Sequence, residues 1–214
     1  MPAVTQRILL PLLTVVAGCV DEGSPAGPRS AVPFECASPA SATRPDPLQW
    51  KRVRALDNDL RAALSLGPTQ VCAELDRFPC TDVHRVPLGG NDPFGAALYE
   101  PVARPLATTP MAVDRVVLGS CVNRVDLDRT GPPVVFTHFD LDGSTDLSSP
   151  EHSAAVDAQS TDLVRRLLAR QPRTEELTAL KELTVDDSGS PVTPRDFAVL
   201  ACFTIGSSTE FLFF

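Results

Sequence analysis

The chain has 214 residues, with 19 Lys and Arg against 27 Asp and Glu, and a formal net charge of −8 at pH 7. That balance argues against nucleic acid and anionic lipid headgroups as partners, because both repel an acidic surface. The basic side chains are nearly all arginine, Lys51 and Lys181 being the exceptions, and together with 21 prolines the bias points to a genome rich in G and C rather than to a binding function.

The chain opens with one basic residue, Arg7, then the apolar run Ile8 to Val16, then the small pair Ala17 and Gly18, which is the order of a secretory signal. The run is too short for a permanent span, which needs about 20 apolar residues, and Pro11 weakens it further. Val16-Ala17-Gly18-Cys19 resembles the lipobox of bacterial lipoproteins. The resemblance implies that residues 1–18 are a signal peptide, that Cys19 becomes the first residue, and that its thiol and amine carry acyl chains such as palmitate. Two or more chains, at ~0.8 kcal/mol per buried methylene, hold a protein stably on a membrane. Val20 stands where aspartate retains such proteins at the inner membrane, which implies outer-membrane sorting with the body facing the periplasm or the cell surface; Asp21, one place later, is the counter-signal. The competing reading is an ordinary secretory signal in which Cys19 is incidental.

Residues 19–47 read as the lipidated cysteine and a tether, because Pro25, Pro28, Pro33, Pro39, Pro45 and Pro47 recur too often for helix or sheet. Such a tether lets a domain float roughly 30 Å from the lipid surface. Residues 48–214 then form a single domain with enough chain to bury one core. The expected fold class is mainly α, an irregular bundle of about five helices with two long loops and little or no sheet.

The first helix is expected from Asp46-Pro47, an N-cap followed by proline at the first helical position, with Trp50, Val53, Leu56, Leu60 and Leu64 as its buried stripe, until Gly67-Pro68 stops it. Cys72 and Cys80 bracket a short polar segment ending in Phe78-Pro79. They are the expected disulfide, contributing roughly 2 to 3 kcal/mol for so small a loop. A second helix starts at Thr109-Pro110, presents Met111, Val113, Val116, Val117, Cys121, Val122 and Val125 as a broad apolar face, and ends at Gly131-Pro132-Pro133. A third runs from Ser149-Pro150 to Pro172. A fourth begins at Thr174, with Glu175 and Glu176 suiting its dipole and Leu177, Leu180 and Leu183 buried. The fifth starts at Thr193-Pro194, where Asp196 completes a capping box, and its nearly unbroken apolar surface belongs in the centre of a bundle.

An exported chain sees an oxidising compartment, where cysteines pair. With Cys19 lipidated, Cys36, Cys72, Cys80, Cys121 and Cys202 remain, an odd number. Cys121 and Cys202 lie in apolar helical patterns and read as buried small hydrophobes, with pairing to each other or to Cys36 as the alternative.

The stretches Thr81 to Thr108 and Val134 to Ser148 are long for loops without function. Asp140, Asp142 and Asp146 surround Gly143 in a superficially calcium-like segment. Aligning Gly143 with the glycine of an EF-hand loop, however, puts His138 first and Ser149 twelfth, where Asp and a bidentate Glu are needed. An Asx-rich turn after a short strand over Val134 to Thr137 is the expected structure. Leu88-Gly89-Gly90-Asn91-Asp92-Pro93-Phe94-Gly95 is the densest turn chemistry. It reads as a loop packing over the bundle, or as a partner loop anchored by Phe94 and Tyr99. The three histidines, His84, His138 and His152, fall in no zinc or haem spacing, and there is no nucleophile elbow or phosphate loop. No catalytic residue, metal or other cofactor is assigned.

Leu167-Leu168-Ala169-Arg170-Gln171-Pro172-Arg173-Thr174-Glu175-Glu176-Leu177, followed by Ser207-Ser208-Thr209-Glu210-Phe211-Leu212, resembles the C-terminal helical portion of large exported proteins of unknown function, described first in planctomycetes and often carrying cytochrome c domains elsewhere. The resemblance covers roughly the last fifty residues. It implies that one helix ends at proline, the next starts at threonine, and a terminal aromatic segment docks on both. The leading functional expectation is a membrane-anchored lipoprotein that binds or scaffolds another envelope protein. The alternative is a hydrolytic or metal-dependent envelope enzyme using loops 81–108 and 134–148.

Overall fold

A computed structural model describes residues 49–214. The signal peptide of residues 1–18, Cys19, Cys36 and the tether lie outside the described residues. The described residues are mainly α. Seven α-helices are joined by irregular segments and one two-stranded antiparallel hairpin. They are α1 (Val53–Leu64), α2 (Cys80–Val83), α3 (Thr109–Thr130), α4 (Ser153–Leu168), α5 (Thr174–Glu182), α6 (Pro194–Gly206) and α7 (Thr209–Leu212), with β1 (Ala73–Glu74) and β2 (Phe78–Pro79) between α1 and α2. None of these helices is long and apolar enough to cross a membrane.

The core lies where α3, α6, α4 and α1 meet. On α3, Ala112, Val113, Val116, Val117, Cys121 and Val125 are buried, a stripe at three- and four-residue steps. Met111 falls out of phase with that stripe and is 74% exposed, contrary to its expected place on the apolar face. Phe197, Ala198, Ala201, Cys202 and Ile205 of α6 are buried, but Leu200, with Asp196 and Thr204, lies on an exposed side at 39% exposure, so α6 is not enclosed all round as its apolar sequence suggests. Phe139 meets Phe197 edge to face, ring centroids 5.8 Å apart. The small residues Gly119 and Gly206 allow close approach: a methyl on Gly206 would stand 2.8 Å from Val117 Cγ1, and one on Gly119 would stand 2.7 Å from Cys72 Sγ.

Thr109 does not cap α3 as its sequence suggests: it is the first helical residue, and its Oγ1 accepts the Leu106 N–H and donates to Pro87 C=O, whereas α5 and α6 are capped by local chemistry. Thr193 Oγ1 accepts the Asp196 backbone N–H at 3.1 Å and donates to the Asp196 carboxylate at 2.8 Å. At α5, Arg173 N–H donates to Glu176 Oε2 at 2.8 Å, half of a capping box. Before α4, Pro150–His152 form one 3-10 turn, so the α-helix proper begins three residues later than the Ser149-Pro150 cap signal suggests.

Two further expectations are corrected. The segment 49–52 is not helical, and Trp50 does not belong to the α1 stripe: Gln49 N–H and Lys51 N–H donate to Phe214 and Leu212 carbonyls at 3.0 and 2.7 Å, and Phe214 N–H donates to Gln49 C=O at 2.8 Å. That antiparallel pairing occupies the backbone groups a first helical turn would use, so α1 starts only after Arg52. Nor is there a strand over Val134 to Thr137. Side chains take its backbone instead: Asp128 accepts the N–H groups of Val134, Val135 and Phe136, while Gln159 accepts from Thr137 and donates to Val135 C=O.

Candidate functional site

Cys72 and Cys80 are disulfide-bonded, their Cα atoms 5.3 Å apart, and close the β1–β2 hairpin. Cys121 and Cys202 form a second bond, Cα atoms 5.8 Å apart, that joins α3 to α6. This corrects the reading of the two as unpaired buried hydrophobes: both are buried, and of the alternatives the structure adopts their pairing with each other. Outside the hairpin loop, Glu74 accepts from Arg115 Nη2 at 2.8 Å and lies 2.9 Å from His84 Nε2. The Arg115 hydrogen bonds, with a smaller contribution from His84, hold its carboxyl down at about 2. This cluster braces hairpin, α2 and α3 together.

The carboxylates of the 134–148 segment do not converge. Asp140 accepts the Asp142 N–H at 3.0 Å, Asp142 faces Arg129 at 3.6 Å, Asp146 accepts the Ser148 N–H at 2.9 Å, and His138 pairs with Asp162 at 2.9 Å. Each makes a separate contact, and among the described residues no group of three or more His, Cys, Asp or Glu is arranged to hold a metal ion.

The other long segment contributes to a cleft of about 880 Å³ at the foot of α1. It is lined by Gln49, Trp50 and Arg52, by Arg54, Asp57 and Asn58 of the first two turns of α1, by Thr81, Asp82 and Arg85 from α2 and the residues after it, and by Gly89, Gly90 and Asn91. Gly89 has φ +75°, and a Cβ there would stand 2.7 Å from the Trp50 ring, so only glycine lets the loop turn beneath the indole. Phe94 and Tyr99, the two aromatic anchors suggested by the sequence, are 100% and 76% exposed and do not line this cleft.

The cleft is charged and partly unmatched. Arg85 Nη2 pairs with Asp82, and Arg61 Nη1 lies 3.7 Å from Asp57. Burial pushes the Asp57 carboxyl up, Arg61 opposing the shift and Asp82 reinforcing it. Arg52 and Arg54 are exposed, and their side chains make no hydrogen bond or ion pair among the described residues. Both fall outside the apolar stripe of the sequence pattern, which assigns them nothing further. The only local hint of more is that Arg52 occupies the N-cap with no side-chain cap bond, a poor residue for that position.

No protein-family model matches the chain, and searches of curated proteins and of solved structures return no match.

Proposed function

We propose that the chain is an exported lipoprotein, held on the bacterial outer membrane by acyl chains on Cys19, whose helical domain binds another envelope protein through the cleft at the foot of α1. The observation that carries the binding role is the make-up of that cleft: it is open and charged, and the described residues lining it include no histidine or cysteine. Its titratable groups are arginines and aspartates, suited to recognition by charge and hydrogen bonding. The export half of the reading draws support from the two disulfides, chemistry of an oxidising compartment.

Two measurements test the two halves. A Cys19→Ser variant is expected in the soluble envelope fraction, and its retention with membranes at the native level would sink the anchor. A photo-crosslinker placed at Asn58, an exposed residue of the cleft wall, is expected to capture one envelope protein in the native cell. Recovery of no partner at any abundance would overturn the binding role.

A further inference from the structure

We infer that the segment taken by this cleft is an extended, acidic stretch of polypeptide, laid beside Gln49–Arg52 with its carboxylates on Arg52 and Arg54; the inference rests on the binding role proposed above.

Charge gives the first argument. The chain carries −8 overall, so most of its surface repels an acidic partner. Of the two aspartates lining the cleft, Asp82 pairs with Arg85 within it and Asp57 faces Arg61 behind it, which leaves Arg52 and Arg54 as guanidinium groups without an ion-pair carboxylate among the described residues. An arginine fork binds a carboxylate through two parallel N–H donors, and two such forks lining one cleft call for more than one acid.

Backbone geometry supplies the second argument and decides the conformation of the occupant. Gln49 and Lys51 turn their N–H groups to Leu212 and Phe214. In an antiparallel pairing the intervening residue points its N–H and C=O to the opposite edge, and those of Trp50 have no partner among the described residues. An extended segment completes such an edge by strand addition, its alternate side chains reaching the same wall. The buried indole Nε1 of Trp50 also lacks an acceptor, an uncommon condition for a buried donor.

Trp50 is the single tryptophan of the chain, so its emission reports on the cleft directly. The test titrates the full lipidated chain, in neutral detergent micelles, with a short capped peptide of alternating Glu and Thr, and with its Gln–Thr and Lys–Thr counterparts. The Glu–Thr peptide is expected to change Trp50 emission saturably and to bind about 10-fold more tightly than Gln–Thr, with the advantage shrinking as salt rises. The Arg52→Gln, Arg54→Gln double variant changes only exposed side chains; it is expected to keep its thermal midpoint and lose that advantage. Equal binding of Glu–Thr and Gln–Thr, preference for Lys–Thr, no saturable change, or full affinity in the double variant would each overturn the inference. The Asn58 crosslink separates it from the broader reading: a captured partner whose crosslinked segment is not acidic sinks the acidic-strand inference and leaves the binding role standing.

Discussion

Asp128 shows how much one side chain can organise. It is fully buried and accepts Arg124 Nη2 at 2.6 Å together with the backbone N–H groups of Val134, Val135 and Phe136 at 2.7, 3.0 and 2.8 Å. A buried carboxylate is tolerated only when paired and hydrogen-bonded, and here four donors surround it. Asp128→Ala leaves the buried Arg124 without its carboxylate and three amides without acceptors. The expected loss is about 3 to 5 kcal/mol, read as a fall in the urea midpoint at unchanged slope; a shift worth less than about 1 kcal/mol would contradict this account. Nothing in the run Val125-Asp126-Leu127-Asp128 marks the second aspartate as special. Asp126 lies two residues away on the same helix, yet its side chain is 39% exposed and pairs at the surface with Arg129 and Arg195. The difference arises because the chain after Gly131 folds back over one side of α3 and not the other.

The C-terminal elements are held by a comparable device at the surface. Arg170, just past the end of α4, donates to Glu176 in the first turn of α5 at 2.8 and 2.6 Å and to Glu210 on α7 at 2.5 and 2.6 Å. The Arg170 hydrogen bonds, helped by the Arg173 N–H, hold the Glu176 carboxyl down at about 2, and Arg170 lowers that of Glu210 as well. Because both folded-state values lie below the ordinary glutamate value of 4.5, the stabilisation is present above that pH and is lost as pH falls toward 2. Amide protection of residues 209–214 is therefore expected to drop across that window, and Arg170→Gln is expected to lower protection at neutral pH and flatten the pH dependence. An unchanged profile in the variant would show that the arginine is not the clasp. The start of α5 at Thr174 was legible from local chemistry, whereas α4 stops at Leu168, with Ala169 in the left-handed region, short of the expected Pro172. The bond from Arg170 to a glutamate on α7 was not legible either, since it depends on how three elements dock.

The two disulfides divide the fold's stability unequally. Cys72 and Cys80 are 8 residues apart and Cys121 and Cys202 are 81 apart, so in the chain-entropy picture the second contributes roughly 4.5 kcal/mol against roughly 2.5 for the first. Replacing Cys121 and Cys202 with alanine is expected to lower the thermal midpoint by roughly 10 °C or more, and replacing Cys72 and Cys80 by clearly less. Equal effects would count against loop length as the deciding variable. The short-range pair could be anticipated because its segment can close on itself, whereas the long-range pair needed α3 and α6 to be packed face to face. The same division holds through the fold. Apolar periodicity, proline at first helical turns and threonine or aspartate caps act over a few residues, so the five longer helices, much of their buried faces and the mainly α class could be read from the chain alone, while the four-residue helices α2 and α7, the exposure of Met111, the partial exposure of Leu177 and Leu183 and the extended backbone at Trp50 could not. The cleft at the foot of α1, the pairing of Gln49–Lys51 with Leu212–Phe214, and the gathering of Arg52 and Arg54 into one cleft with Asp82 and Arg85 join segments far apart in sequence. A helix pattern states which side is apolar but carries no term for which other element that side will meet, and every feature of the candidate site depends on that second choice.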